Sequence, residues 1–263
     1  MSNGWRASRP LFTPQPFAIA LDPVVIAWLG VDTPFPSLAS ALQEPNGLLA
    51  VGGDLSPRRL LDGYRRGIFP WYSEGDPILW WSPDPRMVLF PRELRVTRSL
   101  AKTLRNKSYE VRFDTAFDEV LRGCAAPRPK QPGTWISAEM RAAYRRLHEL
   151  GYAHSVETWV DGALAGGLYG VALGRVFFGE SMFAHGRDAS KIAFVHLVRR
   201  LAGEGYLLID CQMHTPHLAS LGAREVPRSG FARRLKDLVD YPRPPGRWAA
   251  GGERSAKIEA CRN

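Results

Sequence analysis

The sequence predicts an α+β fold, in which a mixed sheet is flanked by helices. A helix is expected from Ser56-Pro57, a capping residue followed by proline at the first helical position, to about Arg66, before Gly67. Apolar alternation over 153–160 and 164–172 flanks Asp161-Gly162, which predicts a β-hairpin. The chain has 263 residues, 45% of them hydrophobic, so it can bury a substantial core. Strands and helices mixed in this way indicate an α+β or mixed α/β protein.

The other elements are placed by the same patterns of capping, periodicity and turn residues. Further strands are predicted at 47–53, 109–113, 175–182 and 206–212, and further helices from Thr97, over 117–122, 137–150, 189–203 and 216–221, and from Ser229. Residues 68–91 crowd six aromatic residues among five prolines, which predicts a stiff, loop-like segment.

The sequence is expected to divide into four segments. We expect an irregular N-terminal extension over 1–36, a small N-terminal α/β domain over 37–85, a larger domain over 86–241, and a mobile tail over 242–263. Proline recurs in the first segment, and proline, glycine and charge dominate the last.

Charge and cysteine content narrow the class of protein. The net charge of +9 favours an acidic partner such as nucleic acid. Three cysteines without a CxxC spacing argue against a disulfide framework and a cysteine zinc site, so a reducing cytoplasm is expected. No apolar run approaches the ~20 residues that cross a bilayer, so no membrane partner is expected.

A basic helix is the clearest candidate for nucleic-acid binding. Arg98, Lys102 and Arg105 share one helical face, and 86–112 holds eight basic residues, Arg86 among them, against two acidic ones. Such a face binds a phosphate backbone, but it is also the pattern of an ordinary solvated helix.

Polar residues in predicted strands are the candidates for chemistry. Asp210 and Gln212 lie two apart, so their side chains are expected on one face of the sheet, as a reactive pair or as a structural hydrogen-bonded pair. Glu180 emerges from an apolar strand and needs a partner. Nearby Phe177, Met182, Ile209 and Trp135 are, taken singly, core residues.

Several other chemistries are excluded. His214 and His217 are three apart, yet no second cluster supplies further metal ligands, so no metal site is expected. No P-loop, dinucleotide-binding glycine motif or serine-nucleophile elbow occurs.

Six runs of sequence resemble the bacterial leucyl/phenylalanyl-tRNA–protein transferases, in family order. They are 44–56 (EPNGLLAVGGDLS), 66–72 (RGIFPWY), 80–86 (WWSPDPR), 133–136 (GTWI), 179–183 (GESMF) and 209–212 (IDCQ). The resemblance implies that 86–241 is a domain like the GNAT acyltransferases. It also implies transfer of Leu, Phe and, less efficiently, Met from aminoacyl-tRNA to proteins with N-terminal Arg or Lys, which are thereby marked for degradation. No cofactor is implied, and we expect a monomer.

The resemblance also implies roles for particular residues. By position, Asp210 corresponds to an acid that orients the neighbouring amide, Gln212 to the amide that helps to draw the proton from the attacking amine, and Glu180 to an acid near the tRNA terminus. The remaining assignments are Trp71 and Trp135, with Tyr64 and Tyr144, around the terminal adenosine; Phe177, Met182, Ile209 and Leu168 in the donor side-chain pocket; and Arg98, Lys102 and Arg105 on the tRNA-binding patch.

Two positions depart from the family pattern, and two other functions stay open. Leu168 stands where the family pocket has Met, a volume-conserving change, and Thr215 stands where the family usually has Asn. A CoA-dependent N-acetyltransferase would need a glycine-rich pyrophosphate turn, which 185–190 does not supply. A non-catalytic RNA-binding adaptor would explain the basic helix but not the polar strand residues.

Overall fold

A computed structural model describes residues 26–127 and 136–248. The helices are α1 Pro57–Arg66, α2 Arg98–Asn106, α3 Phe117–Ala125, α4 Ala138–Glu149, α5 Ala189–Gly203, α6 Pro216–Ser220 and α7 Arg228–Val239. The strands are β1 Ala27–Leu29, β2 Leu48–Gly52, β3 Phe69–Pro70, β4 Leu79–Trp81, β5 Arg86–Leu89, β6 Glu110–Phe113, β7 Ala153–Val160, β8 Ala163–Leu173, β9 Val176–Ala184, β10 Leu208–Gln212 and β11 Arg224–Val226. The α+β class predicted from the sequence is confirmed.

A small four-stranded sheet with the order β1-β2-β4-β3 lies at the N-terminal end. β1 was not expected, since the extension was predicted to be irregular. The loop-like prediction for 68–91 was also wrong, because β3, β4 and β5 fall within it. Pro70 is accommodated in an edge strand, where a missing N–H is tolerated. Helix α1 begins and ends as predicted, with the Ser56 hydroxyl accepting from the Arg59 N–H and Gly67 at φ 78°.

The larger sheet has seven strands in the order β11-β5-β10-β9-β8-β7-β6. Its pairs are antiparallel except β9 and β10, which run parallel. The hairpin between β7 and β8 turns at Asp161 and Gly162, whose φ values of 50° and 77° are both positive, as a two-residue type I′ turn requires.

Two of the bulges in this sheet lie at polar residues of β9 and β10. Glu180 is an extra residue in β9, because Tyr169 pairs with Ser181 while Gly170 pairs with Gly179. Cys211 is an extra residue in β10, because Asp210 pairs with Val88 while Gln212 pairs with Met87. A bulge redirects the side chains that follow it, so both strands change direction where the polar residues lie.

Helices cover both faces of the larger sheet. One core contains buried residues of α1, α3, α4 and α7, and the other contains those of α2 and α5. Leu100 and Leu104 of α2 point into the second core, so the helix is amphipathic as predicted.

The described part of the C-terminal segment lies against the body, although 242–263 was expected to be mobile. Trp248 is 7% exposed, and the Gly246 N–H donates to the Gly151 carbonyl. Burial of a large aromatic side chain holds this part of the segment in place.

Within the described residues, no strand is shared between the two sheets. We propose that they mark the two domains expected from the sequence, with the boundary near Pro85. No helix in the described ranges has the length and apolar character needed to span a membrane.

Candidate active site

Four of the predicted site residues meet at the bulge in β9. Tyr64 of α1 and Tyr144 of α4 donate from their hydroxyls to the two oxygens of Glu180, at 2.8 and 2.7 Å. The two hydroxyl oxygens are 2.6 Å apart. Nε2 of Gln212 donates to Oε1 of Glu180 at 2.9 Å. The fold therefore joins two helices and two strands at one carboxyl group.

The carboxyl group of Glu180 and the hydroxyls of Tyr64 and Tyr144 are joined by three short O···O contacts in the protein interior. Burial raises the pKa of Glu180 to about 7, and the hydrogen bonds from Tyr144 and Tyr64 oppose that rise. Burial beside Glu180 also raises the pKa of both tyrosines.

Asp210 is fully buried and is held by an arginine. Nε and Nη2 of Arg86 donate to its two oxygens at 2.8 and 2.7 Å. The Arg86 guanidinium lies 4.8 Å from the ring centres of both Phe69 and Phe231. Arg86 was counted with the basic stretch at 86–112, but it is 1% exposed and takes no part in a basic surface.

Asp210 and Gln212 interact differently from the predicted pairing. The side chains do not share one face through simple alternation, because the Cys211 bulge intervenes. It is the backbone N–H of Gln212 that donates to Asp210, at 2.9 Å, and Gln212 adopts φ 63°. Asp210 therefore fixes the backbone of Gln212, while Glu180 orients its side-chain amide.

An apolar pocket of about 400 Å³ opens beside this cluster. The predicted pocket residues Leu168, Phe177, Met182 and Ile209 all line it, together with Phe194, Leu197, Cys211 and Leu218. Gln212 and Glu180 line it as well. Because Glu180 binds Nε2 of Gln212, the amide Oε1 is left to accept a hydrogen bond from a group in the pocket.

The remaining predicted residues lie apart from this cluster. Trp71 follows β3 and is 38% exposed, with its ring 5.6 Å from that of Trp81. Trp135 lies outside the described residues. Arg98, Lys102 and Arg105 are exposed along one face of α2. Thr215 caps α6, accepting from the Leu218 N–H.

Family models and curated relatives agree on one family. The model described as leucyl/phenylalanyl-tRNA protein transferase matches residues 88–236, and the model of its N-terminal domain matches 53–84. A leucyl/phenylalanyl-tRNA–protein transferase of Nitrosospira multiformis is 66% identical over 85% of this chain and 97% of its own length. That of Chromobacterium violaceum is 64% identical over 85% of this chain and 96% of its own.

The chain belongs to the leucyl/phenylalanyl-tRNA–protein transferases. It is an aminoacyltransferase, and this membership sets aside the acetyltransferase and adaptor alternatives. Among solved structures, a GCN5-related N-acetyltransferase from Kribbella flavida aligns with 60% of this chain and 56% of its own, with 12% identity and a TM-score of 0.33.

Sequence reasoning missed the role of Arg86 in this transferase. The residue ends the run 80–86, which carried part of the family resemblance, but its charge placed it with the basic helix that follows. A usable signal was present, because an arginine opening the apolar run 86–90 needs a buried acid, and Asp210 is an acid in another apolar strand.

Glu180 should make the stability of the transferase depend on pH. Its folded pKa of about 7 lies above the ordinary value of 4.5, so the folded state retains this proton between those values while the unfolded state has lost it. The free energy of unfolding should therefore fall as pH rises from 4.5 to beyond 7, by about 1–3 kcal/mol. Melting temperatures of the wild type and Glu180→Gln between pH 5 and 8 test this. The gap between them should change with pH, and parallel curves would contradict the assignment.

Proposed function

We infer that this transferase moves leucyl, phenylalanyl and, less efficiently, methionyl groups from charged tRNA to N-terminal Arg or Lys of acceptor proteins. The product is a protein one residue longer, marked for degradation. Family membership supports the reaction. The observation that supports its location is the apolar pocket lined in part by Gln212 and Glu180, because a donor side chain bound there would lie near groups able to bind an amine.

The reaction requires attack of an amine on an activated ester. The acceptor α-amine forms a C–N bond to the aminoacyl carbonyl carbon, the bond to the terminal ribose oxygen breaks, and a proton moves from the amine to that oxygen. We propose that Gln212 Oε1 accepts a hydrogen bond from the amine and aligns it for attack. An amide is too weak a base to keep the proton, so its contribution is orientation.

The two tyrosines act through Glu180 in this scheme. Tyr64 and Tyr144 are 1% and 0% exposed, so their hydrogen bonds reach the Glu180 carboxyl group from the protein interior. We propose that the exposed ring of Trp71 stacks on the terminal adenosine, supported by Trp81.

The pocket should discriminate between donor side chains by shape. Leu168, Phe177, Met182 and Ile209 form apolar walls that accept Leu, Phe or Met but meet the extra branch of Ile or Val. We expect transfer from Leu-tRNA to exceed that from Ile-tRNA by at least about 10-fold in kcat/KM. The assay uses charged tRNA and an Arg-initiated peptide without CoA. No transfer would contradict the proposed function, and equal rates would contradict the pocket assignment alone.

The tRNA-binding surface is proposed to run along α2 and the loop before α5. Arg98, Lys102 and Arg105 are exposed, and the loop lies against the end of α2, where the Lys107 ammonium donates to the Arg187 carbonyl at 3.2 Å. Thr103 also donates to Asp188 at 3.1 Å. This loop follows β9, so the basic surface connects with the strand that carries Glu180.

Replacing Arg98, Lys102 and Arg105 together by alanine should weaken tRNA binding and flatten its salt dependence. Fewer phosphates would then be neutralised, so the slope of log affinity against log salt should decrease in magnitude by about 2–3. The matched control replaces three exposed basic residues on the other helical layer, Arg65, Arg233 and Lys236. Equal slopes for the two triple variants would indicate that the basic face of α2 is an ordinary solvated surface and does not bind tRNA.

A cytoplasmic location and a monomeric state are also proposed. The three cysteines have no CxxC spacing, which suits a reducing environment, and charged tRNA is found in that compartment.

A further inference from the structure

The C-terminal segment beyond α7 ends, within the described residues, in a buried tryptophan. Trp248 is 7% exposed, and its backbone N–H donates to Oδ2 of Asp114 at 2.8 Å. Its indole stacks on the His154 ring, with centroids 4.1 Å apart and planes 3° apart. The guanidinium carbon of Arg200, in α5, lies 5.0 Å from the centre of the Trp248 ring. Trp248 is therefore fixed in position and orientation by three elements of the larger domain.

The same indole packs against a wall of the donor pocket. The rings of Trp248 and Phe177 are 5.8 Å apart with planes inclined by 29°. Phe177 and Gln212 both line the donor pocket, whereas Trp248 borders a separate cavity of about 340 Å³. The Phe177 ring thus lies between the donor pocket and the indole.

A glycine leaves the Phe177 ring room to occupy this position. A Cβ at Gly170 would lie 2.5 Å from Cζ of Phe177 and 2.6 Å from its Cε1, so the ring crosses β8 where no side chain stands. Without a side chain at 170, contact with Trp248 limits how far the ring can move away from the pocket.

We propose that Trp248 is a positioning residue that sets the size of the donor pocket by supporting Phe177 from behind. The inference rests on the proposed function of that pocket, and it assigns the C-terminal segment a part in donor selection. Removal of the indole would join the 340 Å³ cavity to the space behind Phe177. The ring could then withdraw and admit β-branched donors.

The test measures kcat/KM for Leu-tRNA and Ile-tRNA on the same preparation of full-length Trp248→Ala protein. The ratio of the two values is independent of the fraction of active protein. The Leu/Ile ratio should fall about 5- to 20-fold relative to the wild type. Trp248→Phe, which restores an aromatic support, should return the ratio to within about twofold of the wild type.

Two further variants separate the possible failures. Tyr241→Ala removes another aromatic residue of the same region, one that packs on Arg175, and should leave the ratio unchanged. Met182→Ala alters the pocket wall directly and should change the ratio if the pocket binds the donor. A changed ratio in Met182→Ala with an unchanged ratio in Trp248→Ala would overturn the role of Trp248. Unchanged ratios in both would overturn the pocket assignment and this inference with it, while transfer itself would still stand.

Trp248→Ala could lose too much core to fold, so melting temperatures accompany the rates. Trp248→Leu retains part of the apolar volume without the ring, and its ratio should fall between those of the alanine variant and the wild type. If only Trp248→Leu folds, a wild-type ratio in that protein would also overturn the proposal.

Discussion

Replacing Gln212 by glycine is expected to lower the single-turnover rate of aminoacyl transfer about 100-fold at saturating charged tRNA. The side-chain amide that Glu180 orients would be absent, so the attacking amine would lose the hydrogen-bond acceptor that we propose for it. Glycine is the informative replacement because Gln212 adopts φ 63°, a conformation that costs alanine free energy but not glycine. The affinity for tRNA should stay nearly unchanged.

Gln212→Asn is the matched control. Asparagine also tolerates positive φ and retains an amide, but its chain is one methylene shorter and cannot keep the 2.9 Å contact with Glu180. Its rate should fall nearly as far as that of the glycine variant. If a folded Gln212→Gly protein transfers at the wild-type rate, the Gln212 side chain takes no part in the reaction.

Replacing Arg86 by methionine should lower the free energy of unfolding by about 3–5 kcal/mol, because Asp210 would be left as an unpaired buried charge. Denaturant unfolding measures this loss. The double variant Arg86→Met/Asp210→Leu should recover much of it, since neither charge remains. Transfer should not recover in the double variant, because the carboxylate that accepts from the Gln212 backbone N–H is then absent.

A surface pair provides the control for this experiment. Arg145 and Asp118 also form an ion pair at 2.7 Å, but both side chains are more than 40% exposed. Arg145→Met should cost less than about 1 kcal/mol. A double variant at Arg86 and Asp210 that regains both stability and full transfer would show that the buried pair serves the fold alone. Asp210→Ala is a poor test of a catalytic role, since it leaves the buried Arg86 guanidinium without its carboxylate partner.

Local sequence signals predicted most elements because their causes are local. The Ser56 cap, the Gly67 end and the positive φ values at Asp161 and Gly162 depend on neighbouring residues. The same reasoning failed at 68–91. There Pro70 lies in an edge strand and the other four prolines lie outside the strands, which is a property of the sheet and not of the segment.

The residues of the candidate site were found from the sequence, but their connections were not. Family resemblance selected Glu180, Asp210 and Gln212, and strand periodicity placed Asp210 and Gln212 on one face. The Cys211 bulge breaks that periodicity. It arises where β10 pairs with β5, a strand from a distant part of the chain, so no pattern within 206–212 reveals it.

The sequence by itself determined the α+β class, the basic helix, the apolar pocket residues and the family, since each depends on residue type and order. Only the tertiary structure decided which polar groups meet. Arg86 and Asp210 are 124 residues apart, Tyr64 and Glu180 are 116 residues apart, and Trp248 contacts Phe177 from the segment that follows α7. Buried polar groups must find partners wherever the packed chain provides them, and that choice depends on sheet order and bulges.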